Sequence, residues 1–133
     1  MPAFLNKAQN NIIVAELLLN KNLHSTSAHP AYYSVYLLMK YILAHYMSTS
    51  YAAQDDLARS KDSHKVVSQI VLPYLKNVDP KTGNDYFVWY NNLKMMRRKA
   101  DYRPASIDVM NLSENLDYAK AFMGCVSNHF KAD

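Results

Sequence analysis

Ser25–Met47, STSAHPAYYSVYLLMKYILAHYM, is the stretch around which the rest of the chain is arranged. Its polar lead-in, Ser25-Thr26-Ser27, offers hydroxyls that can cap the free amides of a first helical turn. Pro30 lies close enough to that start to be tolerated, because early amides have no intrahelical acceptor to lose. Tyr32, Tyr36, Met39, Leu43 and Tyr46 then recur every three or four residues and make one face of an α-helix. Tyr33, Leu37, Tyr41 and Ala44 form a second apolar stripe beside it. A helix apolar over so much of its circumference has to be covered on several sides, which makes it the central member of a helical bundle.

The flanking segments agree. Ala3–Leu23 carries Leu5, Ala8, Ile12, Ala15 and Leu19 on one face, widened by Phe4, Leu18 and Leu23, with Asn6, Lys7, Asn10 and Lys21 opposite. The polar stretch Ser48–Ser63 has a middle, Tyr51–Arg59, that can prolong the central helix. Asp62 or Ser63 can cap a further helix from His64 to about Lys76, which Pro73 is expected to kink or shorten. Thr82 followed by Asp85 resembles a capping box opening a helix over Asn84–Ala100, with Tyr86, Trp89, Tyr90, Leu93 and Met96 inward. Arg103-Pro104 ends it. Ala105–Leu112 reads as a loop, and Asn111 or Ser113 as the cap of a last helix to about Phe130, striped by Leu116, Ala119, Met123, Val126 and Phe130. No strand-period segment and no internal repeat appears. The expected fold is all-α, one domain over residues 1–133, an up-and-down bundle of four to five helices.

Composition narrows the function classes. The chain has 133 residues, of which half are apolar, enough for a core without disulfide or metal staples. Only two glycines occur, Gly83 and Gly124, so no glycine-rich phosphate loop exists and Walker-type and Rossmann-type nucleotide binding are excluded. The single cysteine, Cys125, forbids an internal disulfide, reads as a buried inert thiol and fits a reducing cytoplasm. No signal peptide or membrane-spanning run is read, and no cofactor. A formal charge of +4 and a pI near 9.1 permit nucleic-acid or acidic partners without requiring them.

The five histidines, His24, His29, His45, His64 and His129, are scattered without HxxxH or HExxH spacing, so a zinc site is not expected. Positive charge gathers instead at Lys94, Arg97, Arg98, Lys99 and Arg103, with Asp101 interleaved. Cations suit a helix C-terminus, arginine grips phosphate bidentately, and Tyr102 adds a ring on which a base can stack. The competing reading is a solvated helix end with an Arg97–Asp101 pair one turn apart.

Three segments carry a family likeness: the Ala- and Leu-rich helix Asn11–Leu19, the run AHPAYYSVYLLMKYIL with its Tyr32-Tyr33 pair, and RRKADYRP with Arg97 or Arg98 followed by Ala100, Asp101 and Tyr102. Together with His64 opening the third helix, they resemble the HEPN domains, small helical bundles of prokaryotes. The resemblance implies a HEPN-like bundle, a homodimer, and a toxin–antitoxin or defence setting. It also implies RNA, a nucleotide or a nucleotidyltransferase-like protein as partner. Many HEPN proteins are metal-independent endoribonucleases marked by Arg, four to six residues, then His, at the end of a late helix. Here no histidine stands at that distance after Arg97, Arg98 or Arg103; the literal match, Arg59 to His64, lies in the polar connection. The expectation is therefore a non-catalytic domain binding through Arg97, Arg98, Asp101, Tyr102, Arg103 and His64. The alternative is a ribonuclease using Arg59 and His64, or His64 with Arg97 or Arg98 from across a dimer.

Overall fold

The computed structural model describes residues 3–21, 25–58, 63–103 and 107–130. Among them run six α-helices: α1 (Ala3–Asn20), α2 (Ala28–His45), α3 (Tyr51–Ala58), α4 (Ser63–Val78), α5 (Gly83–Tyr102) and α6 (Val109–His129), with no strand. The all-α expectation holds. Helix α2 is central as its two stripes require: α1 lies along it, and α4, α5 and α6 each pack against it. Val35, Leu38, Met39, Ile42 and Leu43 are sealed from solvent, and removing a side chain of that kind to alanine costs roughly 2–5 kcal/mol.

The element ends depart from the sequence reading in instructive ways. Ser25–Ser27 winds as a 3₁₀ turn straight into α2, and the Ser27 hydroxyl, buried, makes no capping bond. Tyr51–Ala58 is a helix of its own, which brings the count above the expected four to five. The cause is Ser48, which sits at φ 58°, while the Thr49 amide reaches back to the Leu43 carbonyl at 3.0 Å. The left-handed turn at Ser48 carries the chain back across the end of α2, so α2 cannot continue. Buried Gln54 then ties α3 to the end of α2 by donating to the Lys40 and Thr49 carbonyls.

Helix α4 runs through Pro73 to Val78 rather than stopping there. Pro73 and Gln69, the residue whose carbonyl loses its amide partner, are both on the exposed side, where water can take up that carbonyl. Asp62 and Arg59 lie outside the described residues. Thr82 makes no side-chain capping bond to α5; only its carbonyl takes up a first-turn amide, that of Asp85, at 2.7 Å. Helix α6 begins at Val109, earlier than expected, because Asp108 is the cap, accepting from the Met110 amide at 2.9 Å.

A second, smaller apolar cluster positions the functional end of α5. Ala28 at the start of α2, Met96 on α5 and Leu112 on α6 are buried together, with Ala100 and Ile107 packed against them. Gripping α5 by Met96 and Ala100 leaves the intervening Arg98 and Lys99 exposed.

Candidate functional site

At the last turns of α5, Arg98, Lys99, Tyr102 and Arg103 line a shallow pocket of about 420 Å³. Tyr102 is 83% exposed, so the faces of its ring are open to a stacking partner. The Arg103 amide closes the helix on the Lys99 carbonyl at 2.7 Å. The three cations thus surround the negative end of the helix dipole, where they are mutually tolerable. No acidic residue is among the described residues lining this pocket; Asp101 is exposed but outside it. An anionic group with a flat ring attached matches such a lining.

Arg97 goes the other way. Its guanidinium carbon sits 5.0 Å from the centre of the Tyr32 ring, and its Nε is shielded from solvent with no hydrogen-bond partner. No Arg97–Asp101 ion pair forms among the described residues, so the solvated-pair reading fails at this residue. The Tyr32 hydroxyl lies 2.8 Å from His64 Nδ1 and 3.2 Å from the Tyr90 hydroxyl. The His64 ring stacks on Tyr36 with centroids 4.0 Å apart. Two proton arrangements satisfy this chain: Tyr32 donates to His64 and accepts from Tyr90, or accepts from a protonated Nδ1 and donates to Tyr90.

The residues expected to line one cleft therefore divide between two clusters. Arg98, Tyr102 and Arg103 share the rim, joined by Lys99. His64 and Arg97 of the same chain both approach Tyr32, the histidine at its hydroxyl and the arginine over its ring. Arg59 lies outside the described residues. Tyr90 and Tyr36, assigned only to the apolar faces, belong to the His64 cluster. A signal exists for Arg97: it follows Leu93 by four residues and Tyr90 by seven, which places it on the core-facing stripe.

Beyond the α4–α5 turn, Tyr86 donates to Asp79 Oδ2 at 2.8 Å. Burial pushes the Asp79 carboxyl up, but the hydrogen bonds from Tyr86 and Thr82 outweigh it and hold it below its ordinary range. Burial, reinforced by Asp79, pushes the Tyr86 phenol well above its own. Cys125 is half-buried rather than buried. Burial pushes its thiol up and Asp79 and Asp85 add to that, against a hydrogen bond with Thr82, so its thiolate is disfavoured. Among the described residues no group of three His, Cys, Asp or Glu is placed to hold a metal ion. No helix among them is long and apolar enough to cross a membrane. Compared with known proteins, the chain matches no family model, no curated protein and no solved structure.

Proposed function

We propose that this chain is a HEPN-type helical domain that binds single-stranded RNA or a nucleotide through the C-terminal end of α5. The observation that carries the reading is one pocket lined by Arg98, Lys99, Arg103 and the exposed ring of Tyr102. Phosphate attraction supplies affinity there, and ring stacking accommodates any base. A homodimer, a toxin–antitoxin or defence role, and a nucleotidyltransferase-like partner belong to the same proposal through the family likeness.

Salt-titrated binding of a short RNA tests it. Arg98→Ala is expected to bind more weakly than wild type, with its log K against log salt slope reduced by about 0.7 for each phosphate the variant no longer neutralises. Equally poor binding by both proteins at low salt rejects the nucleic-acid reading, and a protein-docking role for the rim takes its place.

A specific observation favours a second reading, a metal-independent endoribonuclease. His64 is held by a buried phenol, and a guanidinium lies against the same ring. Histidine as general acid or base and arginine as charge stabiliser at phosphorus are what such cleavage needs. RNA cleaved in EDTA by wild type and left intact by His64→Ala supports it; RNA left intact by folded wild type rejects it.

A further inference from the structure

Asn115 stands on the core-facing stripe of α6, between Leu112 and Leu116, and is 2% exposed. Neither its Oδ1 nor its Nδ2 has a hydrogen-bond partner. An apolar side chain of similar size would serve packing better at this position, since each buried polar atom left unpaired opposes folding. The residue lines a pocket of about 230 Å³ between α5 and α6, more enclosed than the rim pocket, with Met95, Met96, Lys99, Glu114 and Tyr118 among its walls. Lys99 also lines the rim pocket, so the two meet at that side chain.

We propose that this groove is the base pocket of the nucleotide site, with the Asn115 carboxamide reading a nucleobase edge while Arg98, Lys99 and Arg103 hold the phosphate. A carboxamide presents a donor and an acceptor side by side in one plane. Its complement is a planar group with an acceptor beside a donor, and the N7 and N6 edge of adenine is the base edge that asparagine pairs with bidentately. The pocket is smaller than a site for a drug-sized molecule, which needs roughly 300 Å³ or more, so it takes a ring system and leaves the phosphate outside. The Met95 and Met96 thioethers give the ring a polarizable wall. The Tyr118 hydroxyl donates to Glu114 Oε1 at 2.8 Å, which commits that pair to each other; Asn92 and Asn111 also line the pocket, and of its polar side chains Asn115 is the buried one without a partner. Met95 and Lys99 are unbranched, and Met95 is 47% exposed, so these are the walls that swing to admit the base.

The inference rests on the rim as a phosphate site, and the experiment separates the two. Binding of adenosine 5′-monophosphate, adenosine and ribose 5-phosphate is measured on wild type and Asn115→Leu. The expected result is that wild type binds adenosine 5′-monophosphate roughly tenfold or more tighter than ribose 5-phosphate. In Asn115→Leu that ratio falls toward one with ribose 5-phosphate unchanged. The Asn115 side-chain amide resonances of wild type, which need no variant to fold, are expected to shift with adenosine 5′-monophosphate and not with ribose 5-phosphate. A ratio near one in wild type, or amide resonances that stay still, overturns the base pocket while leaving the rim as a phosphate site. Adenosine binding that depends on Asn115 without ribose 5-phosphate binding supports the pocket and rejects the rim. No binding of any of the three overturns both.

Discussion

The hydroxyl of Tyr32 lies 2.8 Å from Nδ1 of His64, so a residue buried at the centre of the bundle sets the orientation of one near its surface. Tyr32→Phe keeps the ring against Arg97 and removes only that oxygen, so His64 Nδ1 and the Tyr90 hydroxyl each have one hydrogen bond fewer. The expected cost is about 1–2 kcal/mol, read as a shift in the urea midpoint at unchanged slope. A shift too small to measure would mean that these hydrogen bonds contribute nothing net.

The Asp79–Tyr86 pair predicts a pH dependence at both ends. Asp79 titrates below its ordinary 3.8 when folded, so its contribution is fully present above that value and is lost as the pH falls through the folded pKa. Tyr86 titrates above its ordinary 10.0, so its contribution is fully present below that value and is lost as the pH rises further. The melting temperature of wild type should therefore exceed that of Tyr86→Phe most between these limits. The gap should narrow in acid and in strong base. A gap constant across the whole range would remove the bond from the account of stability.

Tyr102→Ala separates recognition from folding. The ring is 83% exposed, so thermal stability is expected to stay within about 0.5 kcal/mol of wild type. Short-RNA affinity is expected to fall by about 1–3 kcal/mol, the usual loss when a base-stacking ring is removed. Fluorescence anisotropy at fixed low salt reads this directly. Unchanged affinity would leave the rim with charge alone.

Asn115→Leu should make the unliganded protein more stable. Two buried polar atoms without partners are replaced by methyl groups on the stripe of Leu112, Leu116 and Ala119. A gain of roughly 1–3 kcal/mol, read from the urea midpoint, is expected. A loss instead would show that the carboxamide is satisfied inside the folded protein.

Ser48→Gly is also expected to stabilise. A residue with a Cβ at φ 58° carries a penalty of roughly 1–2 kcal/mol that glycine avoids. Part of that gain is returned through the freer unfolded chain. The net shift, measured by chemical denaturation, should be positive and below about 1 kcal/mol. Destabilisation would assign the Ser48 side chain a role that outweighs its strain.

How much of this is legible in the residues alone depends on which physical term decides each feature. The two stripes of α2 are a matter of hydrophobic period, and they lead directly to a helix covered on several sides. Helix ends are decided by competition among neighbouring polar groups, and there sequence reasoning slips. Asp108 takes the cap that Asn111 and Ser113 are equally able to provide, and Thr82 makes no side-chain capping bond at all. The same holds for the site. Arg97 and Arg98 are adjacent and chemically alike, but about 100° of helical turn separates them, sending one onto Tyr32 and the other to the rim. Asn115 is legible in principle as a lone polar residue on an apolar stripe. What no spacing rule conveys is that its carboxamide finds nothing to bond with inside the chain.

The clamp that Met96, Ala28 and Leu112 place on one side of α5 has a consequence for how such a chain diversifies. Arg98, Tyr102 and Arg103 are exposed, and none of them belongs to that apolar clamp. A lineage can therefore exchange them one at a time, passing from one ligand to another through intermediates that all remain folded. Conversely, Tyr32 and Arg97 pack against each other, so changes there that remove the ring or the cation have to come in matched pairs and arrive slowly.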